Sequence, residues 1–172
     1  LAKETFVNGL LAAIFWTSAV INPQASILTG MSEKPSATFK SIGFSSLEYQ
    51  KDFVGTEIQL DLAHKFSNGP LQRVTSLSVT DQMGAWVGHG FYNEINIPDN
   101  FSIGFSFLPG VYHRGNEVDL GGWLMFRSGV QLNYDLLDRV SISICFDHRS
   151  SGDIWSFNPG LETWQIKFRS YL

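Results

Sequence analysis

Three residue types that cooperate in ester hydrolysis lie close together in the last part of the chain. One residue separates His148 from Ser150, and Glu162 follows after a further eleven. A serine hydroxyl becomes a nucleophile when an imidazole takes its proton, and a carboxylate can orient that imidazole and stabilise its protonated form. The three residues therefore form a candidate triad, with Ser150 as nucleophile, His148 as general base and Glu162 as the orienting acid.

The segments that carry these residues alternate between apolar and polar side chains, which is the pattern of β-strands. The alternation is clear in 53–63, 101–107, 140–147 and 163–169, and weaker in 37–46, 70–80, 83–93 and 120–134. The sequence therefore predicts eight strands of about ten residues each, the strand length of membrane barrels.

Eight alternating strands fit either a soluble sandwich or a transmembrane β-barrel. A sandwich buries its apolar residues, whereas a membrane barrel turns them to lipid and encloses the polar ones. An N-terminus like a signal peptide, an even number of strands and an aromatic-rich final strand favour the barrel. The predicted fold is thus all-β, an eight-stranded antiparallel transmembrane β-barrel whose side chains fill its interior. A secreted sandwich or lipocalin-like barrel is the alternative.

The N-terminal segment has the features of a secretory signal peptide. Lys3 precedes an apolar run from Leu10 to Ile21, and Ala25 offers a small residue for cleavage. We therefore expect residues 1–25 to be a signal peptide and residues 26–172 to form the exported barrel, with a buried N-terminal helix as the alternative. The sequence contains no apolar run of eighteen residues, so it predicts no membrane-spanning helix.

Composition excludes several classes of function. Twelve bases against sixteen acids give a net charge of −4, which argues against a nucleic-acid binder. The single cysteine, Cys145, rules out an intrachain disulfide and a cysteine zinc site, and its odd position makes it a small filler of the interior. His64, His89 and His113 lie far apart without metal-ligand spacing, so we expect neither metal nor cofactor and interpret these histidines as structural or loop residues.

The period of two also predicts where the candidate triad lies. Apolar residues occupy the even positions of 140–147 and 163–169, and His148, Ser150 and Glu162 continue that parity. Ionisable groups on a lipid-facing side indicate function, although their cost falls to about 0–1 kcal/mol near the interface. With both termini periplasmic, these residues lie at the extracellular rim, facing the lipopolysaccharide leaflet. The alternative is a group of polar residues at a hydrated strand end.

The same residues carry a resemblance to a known family. His148-Arg149-Ser150, followed by Asn158-Pro159-Gly160-Leu161-Glu162, resembles the C-terminal signature of the outer-membrane lipid A 3-O-deacylases, the PagL family. The segment from Leu120 to Phe126 resembles the approach to that family's sixth strand. The resemblance implies an eight-stranded barrel with a Ser-His-Glu triad on its lipid-facing side, here Ser150, His148 and Glu162, and a loop shaped by Asn158 and Gly160.

The resemblance also implies an activity, a substrate and a location. We expect a hydrolase of the Gram-negative outer membrane that removes the ester-linked 3-hydroxyacyl chain of lipid A. Ser151 stands where the family commonly has an asparagine suited to an oxyanion hole. The Ser151 hydroxyl, or the backbone N–H groups of Ser151 and Gly152, are the alternative donors.

Three basic residues are candidates for contact with the phosphates of lipid A at the outer rim, namely His113, Arg114 and Arg149. Ordinary solvated loop charge is the other interpretation of these residues. Two further functions stay open on the sequence alone, an outer-membrane phospholipase-like acyl hydrolase and a non-catalytic structural or adhesion barrel. The sequence leaves the oligomeric state open, a homodimer included.

Overall fold

The computed structural model describes residues 32–33, 37–65 and 71–172. The predicted signal peptide, residues 1–25, lies outside them. Eight long strands follow one another along the chain: β1 (Phe39–Tyr49), β2 (Asp52–Lys65), β3 (Gln72–Thr80), β4 (Ala85–Ile97), β5 (Phe101–His113), β6 (Leu124–Leu137), β7 (Val140–Ser150) and β8 (Leu161–Tyr171). Within these ranges no helix has the length and apolar character needed to cross a membrane.

The strands close into a barrel. Each strand pairs antiparallel with the next, and β1 pairs with β8, where Phe39 lies opposite Tyr171. A short strand, Ser32–Glu33, pairs with β4 beyond Tyr92, the last β4 residue that faces β3. Closure removes the free edges that would otherwise expose unpaired backbone groups. The prediction of an eight-stranded antiparallel barrel is confirmed.

The two faces of the wall have opposite polarity. On β2, Ile58 and Leu60 are exposed, whereas Gln59 and Asp61 are buried. On β7, Ile144 is 59% exposed. A soluble sandwich would bury such apolar residues and wet the polar ones, whereas a membrane barrel does the reverse. The polarity of the wall therefore excludes the soluble sandwich.

The two ends of the barrel differ in the length of their connections. Residues 114–123 and 151–160 are long connections at one end, which we call the site end and which also carries the short turns 50–51 and 81–84. Short turns at 98–100 and 138–139 lie at the other, which we call the terminal end because the Leu172 N–H donates to the Thr38 carbonyl there. Outer-membrane barrels have short periplasmic turns and longer extracellular loops. The asymmetry therefore agrees with the orientation expected from the sequence.

Polar side chains fill the interior, and its charges are paired. Ion pairs follow the axis from the site end to the terminal end: Glu57 with Arg127 and Arg149, Asp61 with Lys167, and Glu94 with Arg169. Burial of a charge is expensive unless an opposite charge and hydrogen bonds compensate it. Pairing across the lumen thus compensates the charged members among the inward-facing polar residues.

Four strands begin later than the sequence predicts: β1 and β3 by two residues each, and β4 and β6 for reasons visible in the backbone. β6 begins at Leu124 and not at residue 120, because Gly121 has a φ of 92° and its backbone packs against the Phe157 carbonyl. β4 begins at Ala85 and not at residue 83, because Met83 lies in a turn with a φ of 63°. Positive φ interrupts an extended strand, and alternation of side chains alone does not reveal it.

Candidate active site

His148 and Glu162 lie opposite each other on β7 and β8. They are register partners, and His148 Nδ1 is 3.4 Å from Glu162 Oε1. The imidazole is buried, whereas the carboxylate is 34% exposed at the site end. A carboxylate at Nδ1 fixes the ring orientation and leaves Nε2 to accept a proton from a nucleophile.

Ser150 is the last residue of β7, two positions beyond His148 and partly exposed. This spacing returns to the same face of a strand at a separation of roughly 6–7 Å along it. His148 Nε2 is buried and has no hydrogen-bond partner among the described residues, Ser150 included. Catalytic hydrogen bonds are often long before substrate binds, so Nε2 is available to a nucleophile without being engaged by one.

Gly160 explains why a histidine on the outer wall is buried. Its φ is 77°, and a Cβ at this position would lie 2.6 Å from His148 Cε1. Only glycine combines this left-handed conformation with so close an approach of backbone to the ring. The end of the 151–160 loop therefore covers the imidazole from the site end.

Asn158 holds the same loop through its side chain. Its Oδ1 accepts a hydrogen bond from the Ser151 N–H at 2.8 Å, and its Nδ2 donates to Asp153 Oδ1 at 3.0 Å. Gly152 and Asp153 both have positive φ, which allows the chain to turn sharply after Ser150. The Ser151 N–H is thus committed to Asn158 in this conformation, and the buried Ser151 hydroxyl has no partner within the described chain.

Apolar side chains surround the site on the loops and on the wall. Phe126, the register partner of Ser150, stacks on Phe107 with ring centroids 5.7 Å apart. Trp123, Ile154 and Phe157 are each more than half exposed at the site end. Aromatic residues at this level are typical of the interface between membrane and water. The site therefore lies where acyl chains give way to polar headgroups.

The structure separates the three candidates for phosphate contact. His113 ends β5 and is exposed, and Arg114 follows it in an exposed pair with Asp119 at 3.2 Å. Arg149 faces the interior, where it is 1% exposed and paired with Glu57. The prediction for Arg149 is wrong, because a residue between two outward-facing neighbours on a strand points inward.

The buried partners of the site strand were not identified from the sequence. Asp147 is 4% exposed and binds Arg127 on β6, with Arg127 Nη2 2.9 Å from Asp147 Oδ2. The parity of the strand places Asp147 and Arg149 inside the barrel. A charge inside a barrel requires a partner, so parity is the sequence signal that these two residues form buried ion pairs. The identity of that partner depends on the closed wall.

The remaining singled-out residues lie away from the site. Cys145 is buried on the inner face, and its Sγ lies 3.4 Å from Gln131 Oε1, so the prediction of an interior filler is confirmed. His89 faces outward on β4, where Nδ1 is 2.9 Å from Thr75 Oγ1. His64 is exposed near the end of β2. Across the ranges that the structure covers, no group of three or more His, Cys, Asp or Glu side chains is arranged to hold a metal ion.

A closed membrane barrel with a histidine–carboxylate pair and a serine on its lipid-facing wall has the features of an outer-membrane ester hydrolase. The family model described as lipid A 3-O-deacylase (PagL) matches residues 46–170. The chain belongs to this family, and it is an ester hydrolase of the outer membrane.

Solved structures share the fold at low sequence identity. The crystal structure of the outer membrane enzyme PagL aligns with a TM-score of 0.61 and 14% identity, over 78% of this chain and 99% of that chain. Neisserial surface protein A aligns with a TM-score of 0.58 and 9% identity, over 81% and 100%. A de novo designed transmembrane β-barrel aligns with a TM-score of 0.59 and 6% identity, over 81% and 98%. No curated protein matches the chain.

Proposed function

We propose that this protein hydrolyses the ester-linked 3-hydroxyacyl chain of lipid A, with Ser150, His148 and Glu162 as its triad. The observation that carries the proposal is the pairing of His148 Nδ1 with Glu162 on the lipid-facing wall, with Nε2 left without a partner. Membership of the deacylase family supports the substrate class.

The chemistry begins at the Ser150 hydroxyl. Its oxygen attacks the carbonyl carbon of the ester while His148 Nε2 takes the hydroxyl proton, and Glu162 stabilises the imidazolium that forms. The tetrahedral intermediate collapses, the sugar 3-oxygen leaves and receives the proton from His148, and the acyl chain stays on Ser150. Water, deprotonated by His148, then releases a 3-hydroxy fatty acid and restores the serine.

The oxyanion of each tetrahedral intermediate requires a hydrogen-bond donor. The Ser151 N–H donates to Asn158 in the substrate-free structure. We therefore assign the oxyanion to the Gly152 N–H or the Ser151 hydroxyl, with Asn158 holding the loop in place. A serine at position 151 is compatible with this assignment, because no asparagine side chain is required.

The position of the site supports a substrate that stays in the membrane. His148 and Ser150 lie on the face that contacts acyl chains, close to the site end where headgroups begin. His113 and Arg114 are exposed at the same end and supply positive charge for the phosphates of lipid A. The inward-facing Arg149 has no part in this contact.

Mass spectrometry of lipid A tests the assignment directly. Cells that produce the wild-type protein should lose one 3-hydroxyacyl chain from lipid A, and cells that produce Ser150→Ala should retain it. Ser128→Ala is the matched control, because Ser128 is the register partner of His148 on β6 and offers another hydroxyl near it. Deacylation by Ser150→Ala and its loss in Ser128→Ala would move the nucleophile to Ser128. Fatty acid release from phosphatidylethanolamine in place of lipid A would favour a phospholipase.

A further inference from the structure

A buried cluster of four charges lies inside the barrel, directly behind the site, and two of its members are on the inner face of β7. We call it the interior cluster, and it consists of Glu57, Arg127, Asp147 and Arg149. We infer that the interior cluster positions Ser150 and His148 relative to each other. The inference rests on the proposed function, because positioning matters only if these two residues react.

The strand itself links the cluster to the site. Along the end of β7, the inward-facing Asp147 and Arg149 alternate with the outward-facing His148 and Ser150. Successive residues of a strand point to opposite faces, so an anchored inward side chain fixes the backbone from which its outward neighbours project. Displacement of about 1 Å in a reacting group can cost a hundredfold in rate. Asp147 and Arg149 bracket His148, and Arg149 also lies between His148 and Ser150.

The ion pairs of the cluster tie β7 to the strands around it. Arg127 Nη1 lies 2.8 Å from Glu57 Oε1, and Arg127 Nη2 lies 2.9 Å from Asp147 Oδ2. Arg149 Nη2 binds the other oxygen of Glu57, which also accepts a hydrogen bond from Ser78 Oγ at 2.8 Å. Glu57 on β2 therefore holds both arginines, one from β6 and one from β7.

Aromatic rings hold the guanidinium groups against these partners. Trp86 is 1% exposed, and its ring centroid lies 5.6 Å from Arg127 Cζ and 5.7 Å from Arg149 Cζ. Tyr112 lies 5.5 Å from Arg149 Cζ. A Cβ at Gly110 would stand 2.7 Å from the Trp86 indole, so the glycine makes room for the ring. Cation–π contact and stacking strengthen in such a desolvated setting.

A second buried pair provides a comparison within the same molecule. Glu94 and Arg169 are 2.7 Å apart at the terminal end, with side chains 1% and 2% exposed. This pair matches the interior cluster in burial and chemistry. Neither residue adjoins the site in sequence or in register. A purely structural role predicts equal effects from both, whereas a positioning role predicts an effect on reactivity from the interior cluster alone.

The experiment compares Glu57→Gln with Glu94→Gln in the full-length protein, folded in detergent. The first readout is the rate at which a fluorophosphonate labels Ser150, a reaction in which the serine oxygen bonds to phosphorus, fluoride leaves and His148 takes the proton. The second is kcat and KM for lipopolysaccharide. For Glu57→Gln we expect labelling and kcat to fall about tenfold or more while KM changes less than about twofold. For Glu94→Gln we expect both to stay at the wild-type level.

Arg149→Lys provides the second variant and keeps the test decisive if Glu57→Gln does not fold. It retains the charge but loses the planar, forked guanidinium, so we expect slower labelling at unchanged KM. Ser150 should be labelled faster in Trp86→Phe than in Trp86→Leu, because phenylalanine keeps a ring on which Arg149 can stack.

Two results would overturn the inference: wild-type labelling rates in both Glu57→Gln and Arg149→Lys, or an equal loss in Glu94→Gln. Deacylation of lipopolysaccharide by Ser150→Ala at the wild-type rate would instead refute Ser150 as nucleophile. That outcome is independent of any variant in the interior cluster, so failure of the inference and failure of the proposed function are distinguishable.

Discussion

The outward face of β7 and β8 is continuous, yet its middle and its site end differ in chemistry. In the middle, Ile144 lies opposite Ile166, and both are at least half exposed to the hydrocarbon. Four residues further along β7, His148 lies opposite Glu162 on the same face. Parity decides which way a side chain points, whereas depth decides whether a charged one is tolerated there. A polar group on the lipid-facing side is therefore informative only together with its position along the strand.

Removal of His148, the proposed base, should reduce activity more than any other change considered for the two regions of this face. We expect His148→Asn to lower kcat by about three orders of magnitude or more, as loss of a triad member does. Glu162→Ala should retain more activity, because in the proposed mechanism the carboxylate orients the ring and does not react. Deacylation of lipopolysaccharide measured by mass spectrometry gives the rates. Ile144→Val, on the same face in the middle of the wall, should leave the deacylation rate unchanged. A loss of activity in Ile144→Val equal to that in His148→Asn would show that the middle and the site end of this face do not differ in function.

A charge in the middle of the face should be the next most damaging change. Ile144→Lys should lower the free energy of unfolding by about 2–4 kcal/mol, the cost of a lysine at the bilayer midplane. Leu137→Lys is the matched control, since Leu137 is exposed at the terminal end, opposite Val140, where the cost falls to about 0–1 kcal/mol. Urea titration followed by heat-modifiable migration on gels measures both. Equal costs would show that depth does not govern this face.

A methyl group over the imidazole should have a smaller, local effect. Gly160→Ala combines a left-handed backbone cost of about 1–2 kcal/mol with a contact on His148, so activity should fall roughly tenfold to a hundredfold. Gly152→Ala carries a similar backbone cost at a φ of 61°, but its Cβ meets Phe126 at 3.4 Å, an ordinary contact. Activity per folded molecule should therefore fall less in Gly152→Ala. If Gly152→Ala lost more activity than Gly160→Ala, the close approach of Gly160 to the ring would not explain the burial of His148.

The smallest expected effect is that of a chelator. Ser150 needs no metal-bound water for the proposed chemistry, and Glu162 is already engaged with His148. Hydrolysis of lipopolysaccharide in detergent should proceed at the same rate with and without a chelator of divalent cations. An activity that disappears on chelation and returns with calcium would favour the phospholipase interpretation.

The sequence predicts the orientation of the candidate site well because orientation is a local property. The even parity of residues 140–150 places His148 and Ser150 on the outer face, and the register confirms that Glu162 joins His148 there. The ends of strands are harder to predict from the sequence, because a positive φ such as that of Gly121 does not disturb the alternation of side chains.

The interior lies beyond prediction from a single sequence for a different reason. Glu57 and Arg149 are 92 positions apart in the chain, and their contact exists only because the wall closes. Parity places Arg149 inside, but its partner Glu57 cannot be read from the sequence, and the predicted phosphate contact at the rim is therefore wrong. Local pattern thus provides the face of each residue, and only closure provides the neighbour across the lumen.

The site on the outer wall also changes what substrate concentration means for this enzyme. Because His148 and Glu162 lie outside a filled barrel, a lipid substrate arrives by lateral diffusion and never crosses an aqueous phase. The rate then follows the mole fraction of substrate among the surrounding lipids and not its concentration in bulk water. In micelles, added detergent dilutes the substrate on the surface and slows turnover even when the total amount of each reactant is constant. In a leaflet made of substrate, the enzyme is permanently surrounded by it, and turnover is set by the chemistry and by the exchange of neighbours.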